Sequence, residues 1–161
     1  MRLCSRAWLE RGRGGRRPRA GVGCGAAIVS DGRILLVKRR RAPEAGRWNL
    51  PGGKVDYLER IEDAIRREVR EETGLSIRLV RMLQVTEMLG HDGQHWVSPV
   101  WLAEVDEGQL RNCEPDKAEA VGWFPLDAPP APLGQAANEA IANLRDGRPG
   151  PLRQDERREG G

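Results

Sequence analysis

The chain has 161 residues and a net charge of +3, a length that supports one domain with its own core. No stretch is apolar enough, for long enough, to span a bilayer. The charge is unevenly placed: residues 1–20 hold seven Arg and one Glu, leaving 20 basic and 23 acidic side chains, a balance of −3, for the remainder. A mildly acidic domain is not built as a nucleic-acid-binding surface, so an anionic ligand would have to be met by a cation and a few local Arg residues.

Residues 1–20, MRLCSRAWLERGRGGRRPRA, read as a disordered basic tail or a start placed too early. A transit peptide and a nucleic-acid tether stand as alternatives, while the continuous apolar core of a secretory signal is missing. Cys4, Cys24 and Cys113 are scattered and lack the paired spacing of a zinc site. They fit free thiols in a reducing, cytoplasmic compartment.

Two short apolar runs, residues 21–30 and 33–38, flank Asp31-Gly32, the dipeptide that most strongly marks a hairpin. Gly21, Gly23 and Gly25 alternate in the first run with no helix after them, which suggests a central strand with close backbone packing. Lys38 to Arg41 then leave the sheet, either as a solvated strand end or with Arg39 reaching substrate phosphates, a role Arg47 could share. In RWNLPGG, Trp48 and Leu50 can anchor in the core, Pro51 stiffens the approach, and Gly52-Gly53 allow backbone geometry closed to other residues.

The most informative stretch follows, Gly53 to Leu75. Ile61, Ile65 and Val69 recur every fourth residue, the spacing of a helix with one buried stripe, and Gly74 is placed to stop it. At roughly 100° per residue, Glu68, Glu71 and Glu72 share one arc that overlaps the edge of that stripe. Like charges at these spacings repel, more so when partly desolvated. Arg66, Arg67 and Arg70 point mostly to the other side, where Glu62–Arg66, Asp63–Arg67 and Arg67–Glu71 can pair. A divalent cation resolves the crowding, and hard oxygen ligands suit Mg²⁺ or Mn²⁺ better than zinc.

The fixed positions read Gly53, five residues, Glu59, seven residues, Arg67-Glu68-Val69, one residue, Glu71-Glu72, one residue, Gly74-Leu75. This resembles the Nudix box, the signature of the Nudix hydrolases, at every constrained position. The alternative is an ordinary salt-bridged surface helix.

Beyond the box, residues 76–89 read as a strand, Gly90-His91-Asp92-Gly93 as a turn, and residues 95–105 as a further strand whose Pro99 points to an edge or a bulge. A polar loop spans 106–118, a last strand 120–126, and a second helix 135–145. Residues 147–161 are Gly, Pro and charge, a disordered tail by composition.

The resemblance implies an α/β domain over residues 21–146 with the Nudix fold, a mixed β-sheet sandwiched between helices (α/β/α). It implies an enzyme that hydrolyses a nucleoside diphosphate linked to another group. Carried over residue by residue, Glu68 and Glu72 would be the principal Mg²⁺ (or Mn²⁺) ligands, with Glu71 completing the cluster and the Gly52 carbonyl as a further ligand. Arg67 would orient a glutamate, Glu59 would act nearby, and Glu114, in the loop after the box, matches the place of an additional catalytic glutamate. Which carboxylate serves as base differs among these enzymes and stays open.

The WNLPGGK entry and the NCEPDKAEAVGWFPLD block are similar to the MutT-like nucleoside triphosphate diphosphatases, which release pyrophosphate and a monophosphate. His95 and Trp96 could line a base pocket and Trp123 could stack there, although strand tryptophans are commonly core. ADP-ribose, another sugar nucleotide or a prenyl diphosphate is the alternative substrate, and a non-catalytic nucleotide-sensing module the alternative class. The expected partner is a small nucleotide, without specific nucleic acid or membrane, and the oligomeric state, monomer or homodimer, stays open.

Overall fold

A computed structural model describes residues 19–147 apart from position 92, with His91 described by its backbone alone. The tails expected at 1–20 and 147–161 fall almost wholly outside the described residues. Strand β1 (Gly21–Ser30) is the organising element, and β2 (Arg33–Arg39) returns beside it through the Asp31-Gly32 turn. Two very short strands follow, β3 (Trp48–Asn49) and β4 (Gly52–Lys54), then α1 (Ile61–Thr73), β5 (Ser76–His91), β6 (Gln94–Glu107), β7 (Ala118–Pro125) and α2 (Gln135–Arg145).

The sheet is mixed. β1 runs parallel to β6 and antiparallel to β4, while β2 carries β3 and β7 antiparallel on its two sides. Strand alternation divides the apolar side chains between two cores. Cys24, Ala26 and Ile28 of β1 and Leu35 of β2 face α1, packing on Ala64, Ile65 and Val69. Ala27, Ile34 and Leu36 face α2, packing on Ala137, Ala140 and Ile141. The α/β/α sandwich is therefore the direct product of period-2 strands meeting period-3.6 helices on both sides.

Helix α1 ends as its glycine implies, with Gly74 left-handed (φ 73°) and its N–H on the Arg70 carbonyl. Of the two expectations for Pro99, an edge or a bulge, the edge is excluded, since β6 is an inner strand between β1 and β5. The missing N–H is tolerated because Pro99 falls where the β1–β6 register is interrupted, between Val22↔Val97 and Gly25↔Val100. The turn expected at 90–93 is narrower than expected: the β5–β6 ladder continues to His91↔Gln94.

Candidate active site

Short β4 delivers the site. Its pairing with β1, through Gly23↔Lys54, Cys24↔Gly53 and Gly25↔Gly52, presses Gly52 and Gly53 between the central strand and the acidic face of α1. The Gly52 N–H donates to Glu72 Oε2 at 2.9 Å. A Cβ at Gly53 would lie 2.5 Å from the Glu68 carboxyl carbon, so that side chain fills the space the glycine leaves.

Of the three clustered glutamates, two turn inward. Glu68 is only 15% exposed, whereas Glu71 is 49% exposed. Burial pushes the Glu72 carboxyl up to about 8, with the Glu68 and Glu114 charges acting the same way and the Gly52 N–H and Arg39 opposing it. Burial likewise raises Glu68, with Arg67 opposing.

Arg67 corrects the expected charge pattern of the helix. It turns toward the acids and leaves Asp63 to Arg66. Its Nε and Nη2 donate to the two oxygens of Glu59 at 2.8 and 2.9 Å, its Nη1 to Glu68 at 2.8 Å and to Glu71 at 3.2 Å, and its Nη2 to the Lys54 carbonyl at 3.2 Å. One planar guanidinium thus aligns three carboxylates and the glycine loop. Its hydrogen bonds hold the Glu59 carboxyl down at about 2. The stabilisation from that pair is complete above the ordinary carboxylate range and fades as pH falls toward 2. Arg67→Lys keeps the charge but not the fork. We expect kcat/KM to fall by about 10–100-fold with the variant still folded, as when an orienting partner is lost, measured by steady-state kinetics beside circular dichroism.

The loop after β6 is tied to the end of α1. Arg111 N–H donates to the Thr73 carbonyl and Cys113 N–H to that of Glu72, each at 3.0 Å. Glu114 therefore follows directly on the residue bonded to Glu72, its carboxylate 2.6 Å from Lys117 Nζ. Lys117 was not singled out from the sequence, although its place three residues after Glu114 is the signal that could have found it.

A cavity of about 230 Å³ opens on the α2 side of Gly52 and Gly53, lined also by Arg39, Lys54, Glu44, Asn49, Met88, Trp96 and Ser98. Arg39 reaches it, its Nε held by the Pro43 carbonyl at 2.9 Å. Arg47 does not: it lines a separate depression with Pro129 and Leu133 and bonds the Leu133 carbonyl at 3.1 Å. His95 is exposed and does not line the cavity, while its neighbour Trp96 does. Trp123 packs with the α1-side core, on the face of the sheet opposite α2.

Among the described residues no three His, Cys, Asp or Glu side chains converge as a ready-made metal cage. The donor chemistry nevertheless fits a hard divalent cation, because Glu68 and Glu72 are inward-turned oxygen donors whose ionised form burial disfavours and a bound cation would favour.

A NUDIX domain model matches residues 17–144. An ADP-ribose pyrophosphatase of Methanocaldococcus jannaschii is 37% identical over 101 residues, 62% of this chain and 59% of that protein. An oxidized purine nucleoside triphosphate hydrolase of Danio rerio is 34% identical over 107 residues, 64% of this chain and 65% of that protein. The chain thus spans less than two thirds of the length of these relatives. A crystal structure of a MutT NUDIX hydrolase from Burkholderia pseudomallei superposes with a TM-score of 0.73 at 53% identity, covering 78% of this chain and 98% of that one.

Proposed function

This chain belongs to the Nudix hydrolase family, and on that footing we propose that it hydrolyses the diphosphate linkage of a nucleoside triphosphate to a nucleoside monophosphate and pyrophosphate, using Mg²⁺ or Mn²⁺. The observation that carries this reading is the juxtaposition at Gly52-Gly53: part-buried carboxylates of α1 on one side, and on the other a cavity of base-accepting size with Arg39 and Lys54 in its wall. Glu68 and Glu72, with Glu71 and the Gly52 carbonyl, would hold the cation. When bound, that cation supplies positive charge against the diphosphate oxygens.

The remaining work falls to side chains. Arg39 and Lys54 bind phosphate oxygens, fixing the chain of phosphates across the glycine pair. Arg67 keeps Glu68 and Glu71 from rotating away, so the carboxylates meet the substrate already aligned. Water attacks one phosphorus of the α–β linkage while a carboxylate accepts its proton, and the bridging P–O bond breaks with its electron pair leaving on the other phosphate fragment. Glu114 and Glu71 are the two not committed to the buried pair, and Glu114→Gln and Glu71→Gln separate them. Loss of the base is expected to cost about 10²–10⁴-fold in kcat with the Mg²⁺ requirement unchanged, whereas loss of a cation ligand raises the Mg²⁺ concentration needed for half-maximal activity.

The direct test incubates the protein with Mg²⁺ and a nucleotide panel and resolves the products by anion-exchange chromatography. Pyrophosphate with a monophosphate is expected, and orthophosphate with a diphosphate would refute the assignment. Similarity to the Methanocaldococcus jannaschii protein favours ADP-ribose as the second reading, for which the same assay would show AMP and ribose 5-phosphate.

A further inference from the structure

We propose that Glu44 sets which nucleobase the cavity accepts, favouring bases that carry an amino group (guanine, adenine, cytosine) over those flanking a single ring N–H with carbonyls (uracil, thymine). The inference rests on the nucleotide reading above and deepens it. Glu44 sits on the β2–β3 loop in the left-handed region, φ 61°, a conformation that residues with a Cβ adopt only when their surroundings hold them there. Two bonds hold it there. Asn49 Nδ2 donates to its Oε2 at 2.7 Å, and the N–H of Gln135, first residue of α2, donates to its Oε1 at 2.8 Å.

A carboxylate oxygen accepts more than one hydrogen bond, so each oxygen of Glu44 keeps acceptor capacity, and the residue lines both this cavity and the neighbouring depression that holds Arg47. The pairing also fixes Asn49, which is only 7% exposed. Because a carboxylate only accepts, the Asn49 amide must turn its NH₂ to Glu44 and keep its carbonyl oxygen as an acceptor. Glu44 and Asn49 therefore add acceptors to this part of the wall, with the Ser98 hydroxyl able to serve in either sense and the Arg39 and Lys54 donors, assigned above to phosphate, in the same lining. Met88 and Trp96 supply apolar wall. A base that offers N–H donors satisfies Glu44 and Asn49. One that offers carbonyls leaves ligand and protein acceptors facing each other unpaired, the situation in which a binding site discriminates strongly.

A purely structural Glu44, pinning the loop to α2, would affect every base alike. The test measures kcat/KM for GTP, ATP, CTP, UTP and TTP, and calorimetric Kd values for the corresponding monophosphates, in wild type, Glu44→Gln and Glu44→Asp. Wild type is expected to favour the amino-bearing bases by about 10-fold or more. Glu44→Gln should erase most of that ratio, because its NH₂ replaces one acceptor, and Glu44→Asp should restore part of it. Equal losses for all bases, or a wild type indifferent to the base, overturn the inference. Monophosphate discrimination that depends on Glu44 without any triphosphate turnover would support it while sinking the hydrolase reading. Turnover indifferent to Glu44 would sink the inference alone. Should Glu44→Gln not fold, the wild-type ratios and Glu44→Asp decide.

Discussion

Glu72→Gln is expected to lower turnover by about 10³-fold or more while leaving the metal-free protein as stable as the wild type, or more so. The two effects have opposite signs for one reason. In the metal-free fold the Glu72 carboxyl is pushed up to about 8, chiefly by burial. A raised carboxyl means that the fold favours its neutral form. Its contribution to stability is complete below the ordinary carboxylate range and is lost as pH rises through 8. Glutamine is neutral at every pH and can still accept the Gly52 N–H that now bonds Glu72 Oε2 at 2.9 Å.

At pH 8 the variant should therefore melt at or above the wild-type temperature in chelator. Added Mg²⁺ should reverse the order. A cation that binds the folded state raises its melting temperature by mass action, and because the carboxyl must shed its proton first, the wild-type shift should be larger at pH 8 than at pH 6. The variant should show almost no shift. Differential scanning fluorimetry at the two pH values, with and without Mg²⁺, reads all of this. An active variant, or one that Mg²⁺ stabilises as it does the wild type, would remove Glu72 from the cation site.

Much of this arrangement could be read from residue order, and what could not shares a physical cause. Helix α2 runs from Gln135 to Arg145, where helical spacing placed it, and α1 buries Ile65 and Val69, because a four-residue period admits few other solutions. The alternating glycines of β1 also behave as close packing implies: a Cβ at Gly21 would collide with the Trp96 ring and one at Gly23 with Ser98 Oγ.

Strand faces were harder. In a strand a one-residue slip exchanges cavity for solvent, which is why Trp96 lines the cavity while His95, opposite Leu89, does not. Trp123 is opposite Leu35 and shares its face toward α1, a fact fixed by β7 pairing with β2 and invisible in either segment alone. Strands of two and three residues, β3 and β4, have no period to detect. Arg67 eluded helical geometry because a long flexible side chain follows the strongest local potential, and Glu59 lies outside the helix.

Gly52→Ala is expected to disable the protein through its fold, and Gly53→Ala through its chemistry. At Gly52 the backbone φ is +150°, and a Cβ there would overlap the Cys24 carbonyl oxygen and crowd the Gly25 Cα. Both are backbone atoms of the central strand, which cannot rotate aside. Relief requires β4 to separate from β1, and with only three residue pairs joining them little pairing survives. A loss on the order of 3 kcal/mol or more is expected, read as a large drop in the urea midpoint.

At Gly53 the obstructing atoms belong to the Glu68 carboxyl group, 2.5 to 2.7 Å from the added carbon, and a side chain can swing away. Gly53→Ala should therefore unfold near the wild-type midpoint yet lose about 10²-fold or more in kcat/KM, because the displaced carboxylate is one assigned to the cation. Gly32 serves as the control. It too is left-handed, φ 71°, but nothing lies within 4 Å of its absent Cβ, so Gly32→Ala should cost on the order of 1 kcal/mol with catalysis intact. If Gly52→Ala kept wild-type stability, the tight β1–β4 seam would be wrong. Glu72 would then be placed by the helix alone and not by this seam.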